Sequence, residues 1–213
     1  MKKITEQNID RFRDKAAKWD DNPVRVGVSD GIFTGLASLL PLSKEMCAAE
    51  IGAGTGLITV PLAEKVKEVA AFDLSADMLE LLRQKITAYA IDNIHVHAAV
   101  FPNDDIADTA FDLIYSGMTL HHIEDVSGLL QQIYRFLRPG GYMAIADLKK
   151  EDGSFHHDNN GVCHFGFELE DITRLAQDAG FRVQTVPIVH TVRKPDATGT
   201  QREYPVFLLV AKK

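Results

Sequence analysis

A chain of 213 residues, 46% hydrophobic and 25% charged, has apolar material for one sizeable core, which excludes a disordered chain. Thirty acidic against 23 basic residues give a formal charge of −7, and the basic residues are scattered, with no run longer than pairs such as Lys149-Lys150 and Lys212-Lys213. Nucleic-acid binders draw affinity from clustered Lys and Arg, so no nucleic-acid partner is expected.

The opening MKKITEQNIDRFRDKAAKWDD has no apolar signal-peptide core. The longest mostly apolar stretch, Ile32 to Leu42, falls well short of the ~20 residues a membrane span needs. Cys47 and Cys163 are the only cysteines and neither lies in a CxxC pair, which argues against a secreted disulfide framework. The expectation is a soluble cytoplasmic protein with no membrane partner.

Glu45 to Ile51 is a short apolar run ending in Gly52-Ala53-Gly54-Thr55-Gly56, and Leu57 to Val66 follows at helical spacing. Val69 to Phe72 is a second strand, closed by Asp73. Ser75 caps a helix with Met78, Leu79, Leu82 and Ile86 inside. Ile94 to Ala99 and Phe111 to Tyr115 read as strands three and four. Asp125 caps a helix through Leu137 that Pro139-Gly140-Gly141 stops, and Tyr142 to Ala146 is strand five. Leu169 to Ala179 is a helix ending at Gly180. Two strand-like runs, Phe181 to Val192 and Tyr204 to Ala211, are joined by the polar stretch Arg193 to Arg202. Strands alternating with helices predict a parallel sheet covered on both faces, and the final strand-loop-strand predicts an antiparallel hairpin.

The glycine loop follows a strand and opens a helix, where ligands bind in open α/β sheets. Asp73 lies seventeen residues past Gly56 and can accept from both hydroxyls of a ribose, so loop and acid together point to an adenosine-containing ligand. The spacing is G-x-G-x-G with Glu50 before it. A dinucleotide loop would place a third glycine at Leu57, and no Gly-Lys-Ser/Thr follows to make a P-loop.

Five ordered motifs, AKWDDNP at 17–23, EIGAGTG at 50–56, FDLS at 72–75, FDLIYSGMTLHHIED at 111–125 and FLRPGGYMAIAD at 136–147, make the chain resemble the class I S-adenosylmethionine-dependent methyltransferases. It is similar in particular to the small-molecule group that includes ubiquinone and menaquinone biosynthesis methyltransferases. The resemblance implies an α/β, Rossmann-like three-layer sandwich with a mostly parallel seven-stranded sheet and an antiparallel C-terminal hairpin strand. It implies one domain over 1–213, with a helical lid or cap at 1–44 and a core at 45–213. S-adenosyl-L-methionine is the implied cofactor. Gly52, Ala53, Gly54, Thr55 and Gly56 then line its methionine and ribose side, and Glu50 orders the loop near its amino group. Asp73 holds the ribose hydroxyls, with Leu74, Ser75 and Met78 toward the adenine, and Ser116, Gly117 and Met118 face the methionine part. Trp19 is either a lid over the cofactor or an anchor for the N-terminal helix. The family's acid after strand three is missing from His97-Ala98-Ala99-Val100, so backbone groups of Ala99 and Val100, or Asp104 or Asp105 folding back, stand in for it.

Methyl transfer needs an aligned nucleophile and sometimes a base, a role suited to histidine. His121-His122 follow strand four, and His156, His157 and His164 lie in the loop after strand five. His122, His157 and His164 are the candidates for base or acceptor-positioning work, while His121 reads more readily as a capping or packing residue. Adjacent His156-His157 and Cys163-His164 lack the spacings of zinc ligands, so no metal is expected. The expected partner is a small-molecule acceptor, and the expected assembly a monomer or homodimer. A non-catalytic cofactor-binding protein and, behind it, an NAD-binding oxidoreductase are the alternatives.

Overall fold

Cys47–Ile51 is buried along its whole length, as a strand paired on both edges and covered on both faces must be. It forms β1 in the computed structural model, which describes residues 19–101, 107–196 and 199–213. The other strands are β2 (Glu68–Asp73), β3 (Ile94–Ala98), β4 (Phe111–Gly117), β5 (Leu137–Leu148), β6 (Arg182–Thr185), β7 (Ile188–Pro195) and β8 (Gln201–Lys212). Their order is β3-β2-β1-β4-β5-β8-β6, with β7 also on β8. The first five are parallel, and β8 runs antiparallel to β5, β6 and β7.

Helices α1 (Pro23–Leu39), α2 (Thr59–Ala63), α3 (Ala76–Ala88), α4 (Val126–Phe136) and α5 (Leu169–Asp178) close the two faces. Ile32 and Leu36 of α1, Leu62 of α2 and Leu79 of α3 share one apolar cluster with Leu208 of the sheet. Leu130 and Ile133 of α4 and Ile172 of α5 share the other with Phe207, giving a three-layer α/β sandwich. The caps follow local chemistry. Ser75 Oγ accepts from the Met78 N–H, Asp125 Oδ1 from the Gly128 N–H, and Asn22 Oδ1 from the Val24 N–H with Pro23 opening α1.

Three boundaries differ from the sequence expectation. The helix expected over Leu57 to Val66 is only the five residues of α2, since Pro61 gives no N–H to the ladder and β2 starts at Glu68. Pro139-Gly140-Gly141 does not separate helix from strand; the chain enters β5 at Leu137, directly after α4. The three residues make an irregularity inside the β4–β5 pairing, with Gly140 at φ +81°. The run Phe181 to Val192 splits around Pro187 into β6 and β7, which succeed one another along the same edge of β8. That split yields eight strands among the described residues. The connection expected over Arg193 to Arg202 is narrower, since β7 continues to Pro195 and β8 begins at Gln201.

Helix α1 packs on β7 and β8 along the glycines at 27, 31 and 35. A Cβ on Gly31 would stand 3.0 Å from the Val189 carbonyl oxygen, and one on Gly35 2.8 Å from Leu208 Cδ2. Glycine lets helix and strand approach so closely. Among the described residues no helix is long and apolar enough to cross a membrane. The first 18 residues of the expected lid lie outside the described residues.

Candidate active site

Parallel strands that end side by side place their following loops along one edge. A cleft of about 1110 Å³ opens there, walled by α1, by the loops after β1 to β4 and by the segment after β5. The loop after β1 is tied to β2, since the N–H groups of Gly52 and Ala53 both donate to the Phe72 carbonyl at 2.8 and 3.0 Å. Its glycines have separate reasons. A Cβ on Gly52 would lie 2.1 Å from Thr119 Oγ1, and one on Gly56 2.4 Å from Leu82 Cδ1, so both are required by packing. A Cβ on Gly54 would meet nothing within 4 Å; at φ +54° this residue leaves open room in the cleft wall.

Asp73 closes β2. Its Oδ2 accepts from the Gly54 N–H at 2.8 Å and its Oδ1 from the Ser75 N–H at 2.8 Å. Burial raises its pKa against the pull of those backbone donors. Each carboxylate oxygen retains acceptor capacity for a hydroxyl arriving from the cleft. Glu50, buried in β1, has Oε2 held by the Thr59 hydroxyl at 2.5 Å and the Tyr115 hydroxyl at 2.7 Å. Burial pushes its carboxyl up to about 8, with the neighbouring Asp73 charge adding to the rise against the two hydroxyls.

Beyond Asp73 the lining turns apolar: Leu74, Met78, Ala99, Val100 and Phe101 face the cleft. Leu74 and Val100 are exposed, which an apolar ligand face would relieve. Asp104 and Asp105, the stand-ins for a carboxylate after β3, lie outside the described residues. At the other flank Trp19 lines the cleft beneath the Arg25 guanidinium, 3.8 Å from its ring centre. The next residue anchors this segment to the glycine loop. Asp20 accepts from the Thr55 hydroxyl at 2.6 Å and pairs with Lys85 Nζ at 2.6 Å, while Lys85 also donates to the Thr55 carbonyl at 2.7 Å.

Of the expected site residues, Gly117 and Met118 line the cleft, and Gly56, Ser116 and His164 do not. Ser116 donates to the Ile51 carbonyl at 2.7 Å, joining β4 to β1. His164 Nε2 lies 2.9 Å from the Ile123 carbonyl oxygen and fixes the loop after β4. His122 and His157 both line the cleft, with His122 Nδ1 held 2.8 Å from the Gly161 carbonyl. His121 is buried against Asp147, Nδ1 to Oδ1 at 2.8 Å, and its Nε2 meets His156 Nε2 at 3.2 Å. The expectation of no metal site weighed His156, His157, Cys163 and His164; the structure instead gathers His121, His122 and His156, with ligand atoms within 4.8 Å of one another.

Sequence reasoning missed Arg25, Lys194 and Asp147. Arg25 and Lys194 line the cleft, the latter from a stretch that reads as a polar connection. Asp147 ends the FLRPGGYMAIAD motif near the carboxyl end of a strand, the same signal that marked Asp73. The two halves therefore differ in chemistry: acids and apolar walls suit a nucleoside, and imidazoles with the Lys194 ammonium beside Phe155 suit a small polar molecule.

Residues 49–145 match a family model described as a methyltransferase domain. An uncharacterized methyltransferase of Schizosaccharomyces pombe is 30% identical over 149 residues, 63% of this chain and 52% of the relative. The trans-aconitate 2-methyltransferase of Deinococcus radiodurans is 28% identical over 81% of this chain and 67% of its own. The chain spans about half the length of the first curated relatives it matches. A solved SAM-dependent methyltransferase from Aquifex aeolicus superimposes with TM-score 0.71 at 22% identity, covering 94% of this chain and 97% of that one. The motif blocks, the strand order and these likenesses agree: the chain is similar to methyltransferases, with residues 49–145 matching a methyltransferase domain.

Proposed function

We propose that the protein transfers a methyl group from S-adenosyl-L-methionine to a small molecule held in the imidazole-lined half of the cleft. One observation carries the reading: Asp73 and Gly54 at one end, and His122 and His157 at the other, open into a single continuous space. The residues fit the cofactor, because Gly54 leaves its side of the wall vacant of any Cβ and Asp73 keeps acceptor capacity beside it. Bound there, S-adenosylmethionine supplies a sulfonium methyl group, and the protein's task becomes placement and exclusion of water.

Asp73 takes the ribose hydroxyls while Leu74, Met78, Ala99 and Val100 flank the adenine. Glu50 stands beneath the loop, toward the amino group, and the backbones of Gly52, Ala53, Gly117 and Met118 border the methionine part. Thr55, Gly56, Ser75 and Ser116 shape these loops through the contacts described above. Trp19 and Arg25, carried by the segment before residue 44, cover the site as a lid within the same domain. His157 receives the acceptor's proton, His122 stands beside the acceptor, and His164 positions the loop that carries His122. Arg25 and Lys194 on the cleft wall favour an acceptor with negative charge, in keeping with a relative named for trans-aconitate. The net charge of −7 weighs against nucleic acid.

Titration calorimetry with S-adenosylhomocysteine tests the cofactor half. The wild type should bind, and Asp73→Ala should weaken binding by about 1–3 kcal/mol through lost charge-assisted hydrogen bonds. Absence of binding, or equal affinity in the two proteins, overturns the assignment. Incubation with methyl-labelled cofactor and a metabolite extract tests transfer. Binding without label in any product would favour a cofactor-binding protein that does not catalyse.

A further inference from the structure

The three clustered histidines are arranged more tightly than acceptor positioning requires. Asp147 is fully buried and its carboxylate accepts from three N–H groups, those of the His121 ring, the His121 backbone and the Leu148 backbone, at 2.8, 3.1 and 2.7 Å. A carboxylate partner places the His121 proton on Nδ1 and turns the Nε2 lone pair away from Asp147, toward His156. The Gly161 carbonyl does the same for His122, since a carbonyl accepts only and fixes the proton on Nδ1. Two neighbouring imidazoles, with ring centres 4.1 Å apart, are thus held in the same tautomer by fixed acceptors. Metal-binding histidines are oriented by such carboxylate and carbonyl partners behind the ring.

The third ring closes the arrangement. His121 Nε2 and His156 Nε2 are 3.2 Å apart, and two ligands each about 2.0–2.1 Å from a tetrahedral ion stand roughly 3.3 Å from one another. His122 completes a set whose ligand atoms lie within 4.8 Å. His122 and His156 both line the cleft, so coordination positions not taken by the protein would open into it.

We propose that His121, His122 and His156 form a site for one divalent transition-metal ion, zinc or ferrous iron by donor type, on the acceptor side of the cleft. Three imidazoles exclude magnesium and calcium, which take oxygen ligands. Because all three ligands are neutral, the ion keeps its full double charge and draws an acceptor that ligates through a hydroxyl or carboxylate oxygen. This statement about the acceptor rests on the methyl-transfer reading; the metal site does not.

The test uses protein stripped of metal and carrying no histidine tag, titrated with zinc and, for its visible bands, cobalt(II). Wild-type protein should take up one equivalent with micromolar or tighter affinity, and cobalt should give the intense absorption of a low-coordinate site. His156→Ala, on the loop after β5, should lose at least tenfold in affinity. Asp147→Asn should lose about 10–100-fold through loosened His121. His95→Ala, at an exposed position of β3, should bind as wild type does. No saturable uptake by the wild type, or equal uptake by His156→Ala, overturns the site. Calorimetry with S-adenosylhomocysteine on the same samples separates the two readings. Cofactor binding without metal uptake removes only the metal site, and metal uptake without cofactor binding removes the methyl-transfer reading.

Discussion

Glu50 shows how a buried acid can burden the protein that carries it. Its carboxyl is buried and raised from 4.5 to about 8, so the folded state favours the neutral acid. The sign follows from linkage. The contribution of Glu50 to stability is greatest below pH 4.5, falls as pH rises from 4.5 to about 8, and levels above that. The span corresponds to roughly 5 kcal/mol at most. Glu50→Gln keeps an acceptor for the Thr59 and Tyr115 hydroxyls without the charge. It should raise denaturant stability at pH 8 by a few kcal/mol and flatten this part of the pH profile; an unchanged profile would remove the burial argument. Placed beside the cofactor's cationic amino group, the same carboxyl should ionise on binding and release close to one proton at pH 7. Calorimetry in buffers of different ionisation enthalpy reads that number, and zero would take Glu50 away from the amino group. Glu50 was legible in the sequence because it stands at a strand end before a glycine turn, and Asp73 because it closes the next strand seventeen residues past Gly56. The His121–Asp147 pair was not, because its members sit 26 residues apart and only the parallel β4–β5 pairing brings their ends together.

At the scale of elements, periodicity located the strands and helices, while prolines and glycines were misread where their role depends on a neighbour. The Pro139-Gly140-Gly141 turn looks like a helix stop but serves as an irregularity inside β5, which only the pairing with β4 reveals. The glycines at 27, 31 and 35 of α1 form the face that meets β7, a role that only the packing of helix on strand reveals. Two substitutions separate close packing from helix propensity. A Cβ at Gly27 would sit 3.5 Å from the His190 ring, an ordinary contact, so Gly27→Ala should be neutral or stabilising by up to about 1 kcal/mol. Gly31 faces a backbone oxygen at 3.0 Å that cannot move aside as a flexible side chain does. Gly31→Leu should therefore cost about 1–3 kcal/mol and push α1 off the sheet, weakening S-adenosylhomocysteine binding through the displaced Trp19 and Arg25. Equal melting temperatures for the two variants would show that the α1–β7 contact is looser than the geometry implies.

Across the whole molecule, the cleft is built from parts that are remote in sequence, from Trp19 to Lys194, and a ligand in it ties them together. The Asp20–Thr55–Lys85 contact joins the N-terminal segment to the glycine loop and to α3, so under the proposed function it would couple cofactor binding to the position of that segment. The ion pair is partly exposed and should contribute no more than about 1 kcal/mol to the ligand-free fold. Its effect on the bound state is larger if the lid is part of the site. S-adenosylhomocysteine at 100 times its Kd stabilises the native state by about 2.7 kcal/mol, which for a chain of this size raises Tm by roughly 5–10 °C. Asp20→Ala, measured at the same ligand concentration, should show nearly the wild-type Tm without ligand and a rise smaller by about 3 °C with it, as a tenfold loss of affinity dictates. If ligand shifts both proteins equally, the segment ahead of α1 is attached to the fold but takes no part in holding the cofactor.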